Sequence, residues 1–399
     1  MGCIMEERII YLDNSATTPL SVAARERITE TLDVFGNPSS LHAAGDKAAS
    51  ALRAARRSVL LTLGVRSRSD EQDRELVFTS CGTEATSLAL LGCAHAKKRR
   101  ESKRIITTNS EHPSVENALR ALGEEGFEIV RLSTRGGVLD MNELEAALDK
   151  PIFMASLMLV NNETGALYDV KSAFEKIKRA YPDAITHCDA VQGYLKMKLT
   201  PTLLGADLIT ISAHKIHGPK GVGALYISSQ MLKERKISPF LVGGGQEHGM
   251  RSGTENLIGI AAFGAAAEDG YKKMPQAVPH LVSLRELAEE SITAADIGIK
   301  INAPAGARAP HILSISLPDI KSQTMLNFLS AKGIYVSSGS ACSSHSNTAS
   351  PTLLAFGLSE READCTLRIS FSEYNTKEDV ESLVSALADG VKTLVKIKR

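Results

Sequence analysis

No charge of one sign dominates this chain: Lys and Arg together number 46, and so do Asp and Glu, in 399 residues. Without a net field, neither nucleic acid nor an anionic membrane is expected as a direct partner. No apolar run reaches the roughly 18 residues that a membrane-spanning helix needs. The opening residues, Met1-Gly-Cys-Ile-Met-Glu-Glu-Arg8, lack a basic stretch followed by an apolar core, so no secretory signal is expected. Cysteine is sparse, at six residues with wide and irregular spacing, which does not make a disulfide framework. There is no Cys-x-x-Cys pair, so no structural zinc site is expected and the metal set is empty. A reducing, cytoplasmic compartment follows as the expectation. Internal repeats and low-complexity tracts are absent as well.

What is present is ordinary for a water-soluble protein: 43% hydrophobic and 23% charged residues, in a chain long enough for two domains. Apolar, β-rich runs fall at 75–79, 104–108, 127–132, 152–160, 184–188, 207–212 and 223–227. Helical segments at 83–98, 114–125, 141–148 and 170–180 separate most of them. Strands with helical crossovers predict a seven-stranded, mainly parallel α/β sheet with helices on both faces. The last two strands are joined by a glycine turn too short for a parallel crossover, so they should run antiparallel. Before the sheet, Ser39 or Ser40 could cap a helix that keeps Ala48, Leu52, Ala55 and Val59 on one face. Beyond residue 256, an Ala-rich helix should run to about 272, break at Met274-Pro-Gln-Ala-Val-Pro279, and resume from 280 to 295. Strand candidates at 299–302, 312–316, 334–336 and 367–370 then alternate with helices, which reads as a smaller α+β domain.

Ligands of open α/β sheets sit beyond the C-terminal strand ends, so chemistry is expected from the residues there. One run ends in Ser212-Ala-His-Lys215, followed by a glycine-rich turn. Lys215 is either a surface lysine in a hairpin or an amine whose desolvation favours the neutral form that attacks an aldehyde. Gly82 and Thr83 open a helix and could hold a phosphate on backbone N–H groups, or serve as a plain cap. His112 could stack on a flat ring or move protons. Asn162, Asp189 and Gln192 follow two further strand ends; Asp189 could cap a helix or pair with a protonated ring nitrogen. Together with Ser212 and His214 these residues supply a phosphate cup, a stacking ring, an acid and an amine. Those are the requirements of pyridoxal 5′-phosphate.

The chain resembles a fold-type-I, class V enzyme dependent on that cofactor, and within it a group I, NifS/IscS-like cysteine desulfurase. The resemblance is carried nearly end to end by Tyr11-Leu-Asp-Asn-Ser-Ala-Thr-Thr-Pro19, Phe35-Gly-Asn-Pro-Ser-Ser40, Phe78-Thr-Ser-Cys-Gly-Thr-Glu84, Glu111-His112 and Val160-Asn-Asn-Glu-Thr-Gly165. It continues through Asp189-Ala-Val-Gln192, His214-Lys215-Ile-His-Gly-Pro-Lys-Gly221, Gly243-Gly-Gly-Gln-Glu247, Arg251-Ser-Gly-Thr254 and Ser337-Ser-Gly-Ser-Ala-Cys342. The resemblance implies a fold-type-I transferase fold, with a large cofactor-binding domain over 16–262 and a small domain from 1–15 and 263–399 that carries the catalytic cysteine loop. It implies that Lys215 binds the cofactor covalently and then moves protons at the substrate α-carbon. Asp189 would pair with the ring nitrogen, and His112 would stack on the ring and act as acid–base. Gln192 and Asn162 would contact the ring hydroxyl or the substrate. Gly82, Thr83, Ser212 and His214 would hold the phosphate. Thr254 would reach the phosphate of a neighbouring subunit, which implies a homodimer. Asn37 and Arg368 would bind the substrate carboxylate, a task the planar guanidinium suits.

Cys342 lies in a stretch of small and polar residues with no apolar period, the texture of an exposed loop. Its implied role is to take sulfur from L-cysteine, releasing L-alanine and keeping a persulfide for an acceptor protein. That acceptor could be an iron–sulfur scaffold or a thiolation protein. Cys3, Cys93, Cys188 and Cys365 read as structural or incidental, while Cys81 stands beside the presumed phosphate cup. The chain departs from the family pattern at Cys81, at Ser87, and in Ser-Ala-His-Lys where Ser-Gly-His-Lys is usual. It ends at Ile397-Lys-Arg399, short of the tail that docks the scaffold in the housekeeping branch, which puts that partner in doubt. The alternatives are another class V enzyme, such as a cysteine or selenocysteine lyase or a small-amino-acid transaminase, or a silent interaction protein of the same fold.

Overall fold

The computed structural model describes residues 9–96, 102–338 and 349–397, so Cys3 and Cys342 lie outside the described residues. A short strand β1 (Ile10–Tyr11) opens the described chain. The main sheet is then laid down by β2 (Leu76–Thr79), β3 (Arg104–Thr108), β4 (Glu128–Leu132), β5 (Met154–Met158), β6 (Ile185–Asp189), β7 (Leu208–Ser212) and β8 (Gly223–Ile227). Their spatial order is β2-β8-β7-β6-β5-β3-β4. The seven-stranded, mainly parallel sheet read from the sequence is therefore present. Only β8 runs against its neighbours β7 and β2, as the short glycine turn requires. β2 and β5 to β8 are buried at every position, so they lack the in–out alternation of a half-solvated strand; all but β6, which carries Thr186, His187 and Asp189, are mainly apolar.

A second apolar core forms on β9 (Lys300–Ile301), β10 (Ile312–Ser316), β11 (Ile334–Tyr335), β12 (Ser337–Ser338) and β13 (Thr366–Ser370). Four of these make an antiparallel sheet in the order β12-β13-β10-β9, while β11 pairs in parallel with β1. The N-terminal strand thus belongs to the smaller core, and the chain then crosses to the larger one.

Two expectations are corrected here. The break at 274–279 does not occur: one helix runs Leu257–Ala294 with Pro275 and Pro279 inside it. Both prolines lie on the exposed side, where the carbonyls four residues earlier can turn to water. The helix is held at both ends, by Ile260–Ala267 in the larger core and by Leu281, Leu284, Ala288 and Ile292 in the smaller. The helix Ala43–Thr62 is capped by His42, whose Nδ1 accepts from the Gly45 N–H, and not by Ser39 or Ser40. Among the described residues, no helix is long and apolar enough to cross a membrane.

Candidate active site

The C-terminal ends of β2, β3, β5, β6 and β7 face one cleft of about 320 Å³. Gly82, Thr83, His112, Asn162, Asp189, Gln192, Ser212, His214, Lys215 and Arg368 all line it. Thr254 and Asn37 do not. Thr254 is exposed and faces a separate cleft with Ser80 and Arg251, and Asn37 sits in an exposed loop where its Oδ1 accepts from the Ser39 N–H. Cys342 lies outside the described residues; Ser337 and Ser338, which precede it, line the cleft.

One end of the cleft is suited to an anion. The helix Gly82–Ala94 starts there, and its N-cap residue Cys81 makes no side-chain capping bond. The first-turn N–H groups and the positive end of the helix dipole are thus left for a ligand. Ser212 Oγ is buried beside it with no hydrogen-bond partner. A Cβ added at Gly82 would stand 3.3 Å from Val191 Cγ2 and 3.5 Å from Ser212 Cβ, so a larger residue would fill this cradle. A donor set of N–H groups and hydroxyls with an orphaned buried oxygen fits a phosphate. His214 stands close by, its Nδ1 3.3 Å from Thr17 Oγ1, and its pKa is pushed down to about 4 by burial, then by Lys215 and Lys220. It is neutral at pH 7.

At the far side Asp189 ends β6. Its Oδ1 accepts from the Val191 N–H at 3.0 Å, and burial holds its carboxyl above the ordinary range against the opposing pull of His112 and Lys215. His112 caps the helix Pro113–Glu124: its Nδ1 takes the Ser114 N–H at 3.1 Å, with Ser114 Oγ 2.8 Å away. Burial pushes its pKa down, so the ring is neutral near pH 7. A neutral imidazole that accepts at Nδ1 carries its proton on Nε2.

Lys215 follows β7 in the short turn Ala213–Lys215 and is half-buried rather than buried. Its Nζ donates to the carbonyls of Ser15 and Ala16 at 2.6 and 2.8 Å, and Gln192 Nε2 donates to the same Ser15 carbonyl at 2.9 Å. The segment that supplies these carbonyls is stitched to β13: Ser370 N–H donates to Leu12 O at 2.7 Å, and Ser15 N–H donates to Ser370 Oγ at 2.8 Å. From the same strand Arg368 enters the cleft, 6% exposed. Its Nη2 donates to Asp13 Oδ1 at 2.8 Å and its Nη1 to Asn162 O at 3.0 Å, while Nε is buried without a partner. Residues 12–16 therefore tie the guanidinium of one core to the amine of the other.

Sequence reasoning gave no role to Asp13, Ser15, Ala16, Glu111 or Glu163. Ser15 and Ala16 act through backbone carbonyls, which no side-chain pattern reveals. Asp13 sits in a stretch that the family pattern singled out, and its acidic side chain was the available signal. Glu163 lines the cleft and accepts from Ser350 Oγ at 2.7 Å. Glu111, next to His112 in the chain, is buried. Among the described residues, no group of three or more His, Cys, Asp or Glu could hold a metal ion.

The cleft thus offers an anion cup, a buried acid, a neutral imidazole, an amine and an unfilled guanidinium donor. The aminotransferase class-V family model matches residues 10–383. A cysteine desulfurase of Trichormus azollae is 37% identical over 388 residues, covering 97% of this chain and 94% of that protein. A solved NifS-like protein superposes with a TM-score of 0.88 at 33% identity, covering 97% of this chain and all of that one. A solved structure of SspA in complex with cysteine gives a TM-score of 0.77 at 29% identity, over 92% of this chain and 99% of that one. This chain belongs to the class-V aminotransferase family and, within it, to the cysteine desulfurases of the NifS-like kind.

Proposed function

We propose that this chain converts L-cysteine to L-alanine, with pyridoxal 5′-phosphate as its bound cofactor and with the sulfur kept as a persulfide on Cys342. The observation that carries this reading is the convergence of the anion cup, Asp189, His112, Lys215 and Arg368 on one cleft. Gly82, Thr83, Ser212 and His214 would hold the cofactor's phosphate, and Asp189 would face its ring nitrogen. When bound, the cofactor supplies an aldehyde for amine capture and an electron sink for the substrate α-carbon.

The chain's own groups do the rest. Lys215 Nζ moves a proton at the α-carbon, and its position is set by the Ser15 and Ala16 carbonyls. His112 would stack on the cofactor ring, and its Nε2 proton would be available for transfer. Ionised Asp189 would pair with the cofactor's ring nitrogen and keep it protonated. Arg368 binds the substrate carboxylate through donors that Asp13 and Asn162 leave unfilled. The Cys342 thiolate attacks the substrate sulfur. An S–S bond forms, the C–S bond breaks with its electrons staying on carbon, and a proton completes L-alanine. An acceptor thiol then removes the sulfur, for iron–sulfur cluster or thiolated products. A homodimer in the cytoplasm completes the reading. The exposed Phe35, Leu41 and Val242 and the outward position of Thr254 support the dimer.

The test is mass spectrometry of the Cys342 peptide after L-cysteine is added to the cofactor-loaded enzyme. One additional sulfur atom on that peptide is the expected result. A Cys342→Ala variant that releases sulfide in the presence of a thiol as fast as the parent would overturn the persulfide route.

A further inference from the structure

Glu111 stands directly behind the cleft and does not line it. Its side chain is 7% exposed. Oε1 accepts from Thr108 Oγ1 at 2.8 Å and from the Met158 N–H at 3.0 Å. Met158 is the direct register partner of Asp189 across β5 and β6. Glu111 is therefore fixed one strand away from Asp189, near enough for the two carboxyls to act on one another. Its other oxygen, Oε2, is buried with no partner at all. A bare buried carboxylate oxygen is costly, whereas a protonated one is far less so. Among the described residues, Asp189 and Cys188 from β6 and Tyr168 from the segment after β5 interact electrostatically with Glu111, and none of these three is a cation.

We propose that Glu111 is a positioning acid, held neutral so that the single negative charge of the Glu111–Asp189 pair stays on Asp189. The proton sits on Oε2, because Oε1 is filled by its two donors. Burial first, with Asp189 adding to it, pushes the Glu111 pKa up to about 8. Two close carboxyls in a dry site hold one proton between them over a wide pH range. Asp189 keeps the charge because it has the Val191 N–H and faces the Lys215 amine, whereas Glu111 faces no cation among the groups named above. Above pH 8 Glu111 ionises and a second negative charge appears behind the ring site. Every proton in the cleft is then held more tightly. The consequence for the cofactor rests on the functional reading above; the state of Glu111 does not.

The experiment is a carbon-13 titration of glutamate carboxyls in the cofactor-free full chain. One resonance should titrate with a midpoint near pH 8 and be missing in Glu111→Gln. If every glutamate titrates below pH 6, the proposal is overturned. Thr108→Val removes a donor that favours the ionised form, so it should move that midpoint upward, and an unmoved midpoint also overturns the proposal. In protein loaded with pyridoxal 5′-phosphate, the visible band should change near pH 8 in the parent but not in Glu111→Gln. A parent that never forms the band refutes the functional reading, and the carboxyl titration then still decides the state of Glu111 by itself.

Discussion

Arg368 is a charge kept almost out of water, and its ion-pair partner in the cleft is Asp13. Removing one partner of a buried pair leaves the other desolvated and uncompensated. Asp13→Ala should therefore cost about 2–4 kcal/mol in urea unfolding, somewhat below a fully buried pair because Asp13 retains some exposure. It should also raise KM for L-cysteine more than it lowers kcat, since a loosened guanidinium binds a carboxylate less well. Stability within about 0.5 kcal/mol of the parent would show that the pair is ornamental. Glu111 makes the opposite kind of prediction. Its pKa is higher in the folded chain than in the unfolded one, so unfolding releases a proton at any pH between about 4.5 and 8. Stability contributed by this site therefore falls as pH rises through that window, by at most about 4–5 kcal/mol in total. Glu111→Gln should flatten this slope in the cofactor-free protein, as read from unfolding midpoints at pH 5, 6.5 and 8. At this scale the sequence was legible wherever a side chain stood at a strand end: Lys215, Asp189 and His112 all do. It was silent on Ser15 and Ala16, which offer only carbonyls. It was equally silent on Glu111, whose partner Met158 comes 47 residues later.

Elements were legible where burial imposed a pattern. β5 to β8 are buried at every position, with a mostly apolar composition except in β6, so length and composition marked them. β12 is two serines that pair with Leu367 and Arg368, and no hydropathy pattern can announce it. The helix Leu257–Ala294 shows packing overriding local preference, since two prolines signalled a break and two cores pull the helix through. Pro275→Ala and Pro279→Ala should then stabilise the protein, each by about 1–3 kcal/mol, because each restores a donor in an exposed helix interior. A lower urea midpoint in either variant would mean that the proline bend itself aligns the two cores. Gly264 in the same helix predicts the reverse sign. A Cβ there would lie 2.7 Å from Ala55 Cα, so glycine is what allows this helix to meet the helix Ala43–Thr62 so closely. Alanine normally gains about 1 kcal/mol over glycine in a helix, but here backbone must move, so Gly264→Ala should destabilise by roughly 1–3 kcal/mol.

For the molecule as a whole, the main issue is what covers its apolar surface. Leu41 is 100% exposed, Phe35 87% and Val242 77%, and they fall in two short stretches, 35–41 and 240–242, with Phe240 and Leu241 exposed beside the third. Scattered apolar residues on a surface need no partner, but runs of large side chains left this open do. Thr254 adds a second argument. It lines a separate cleft and not the active-site cleft of its own chain, so the phosphate contact that the resemblance implies for it would be made in another copy. Dimerisation and cofactor affinity should therefore be coupled. Sedimentation equilibrium of the parent should give a dimer, and Leu41→Asp combined with Val242→Asp should give monomers. Those monomers should bind pyridoxal 5′-phosphate at least tenfold more weakly, although neither substituted residue lines the cleft. Thr254→Ala should weaken cofactor binding as well, yet leave the dimer intact. Anything that binds only the assembled form shifts assembly by mass action, so added cofactor should in turn raise the dimer fraction of the double variant. A monomeric double variant that binds the cofactor as tightly as the parent would separate the two properties and return Thr254 to the ordinary surface.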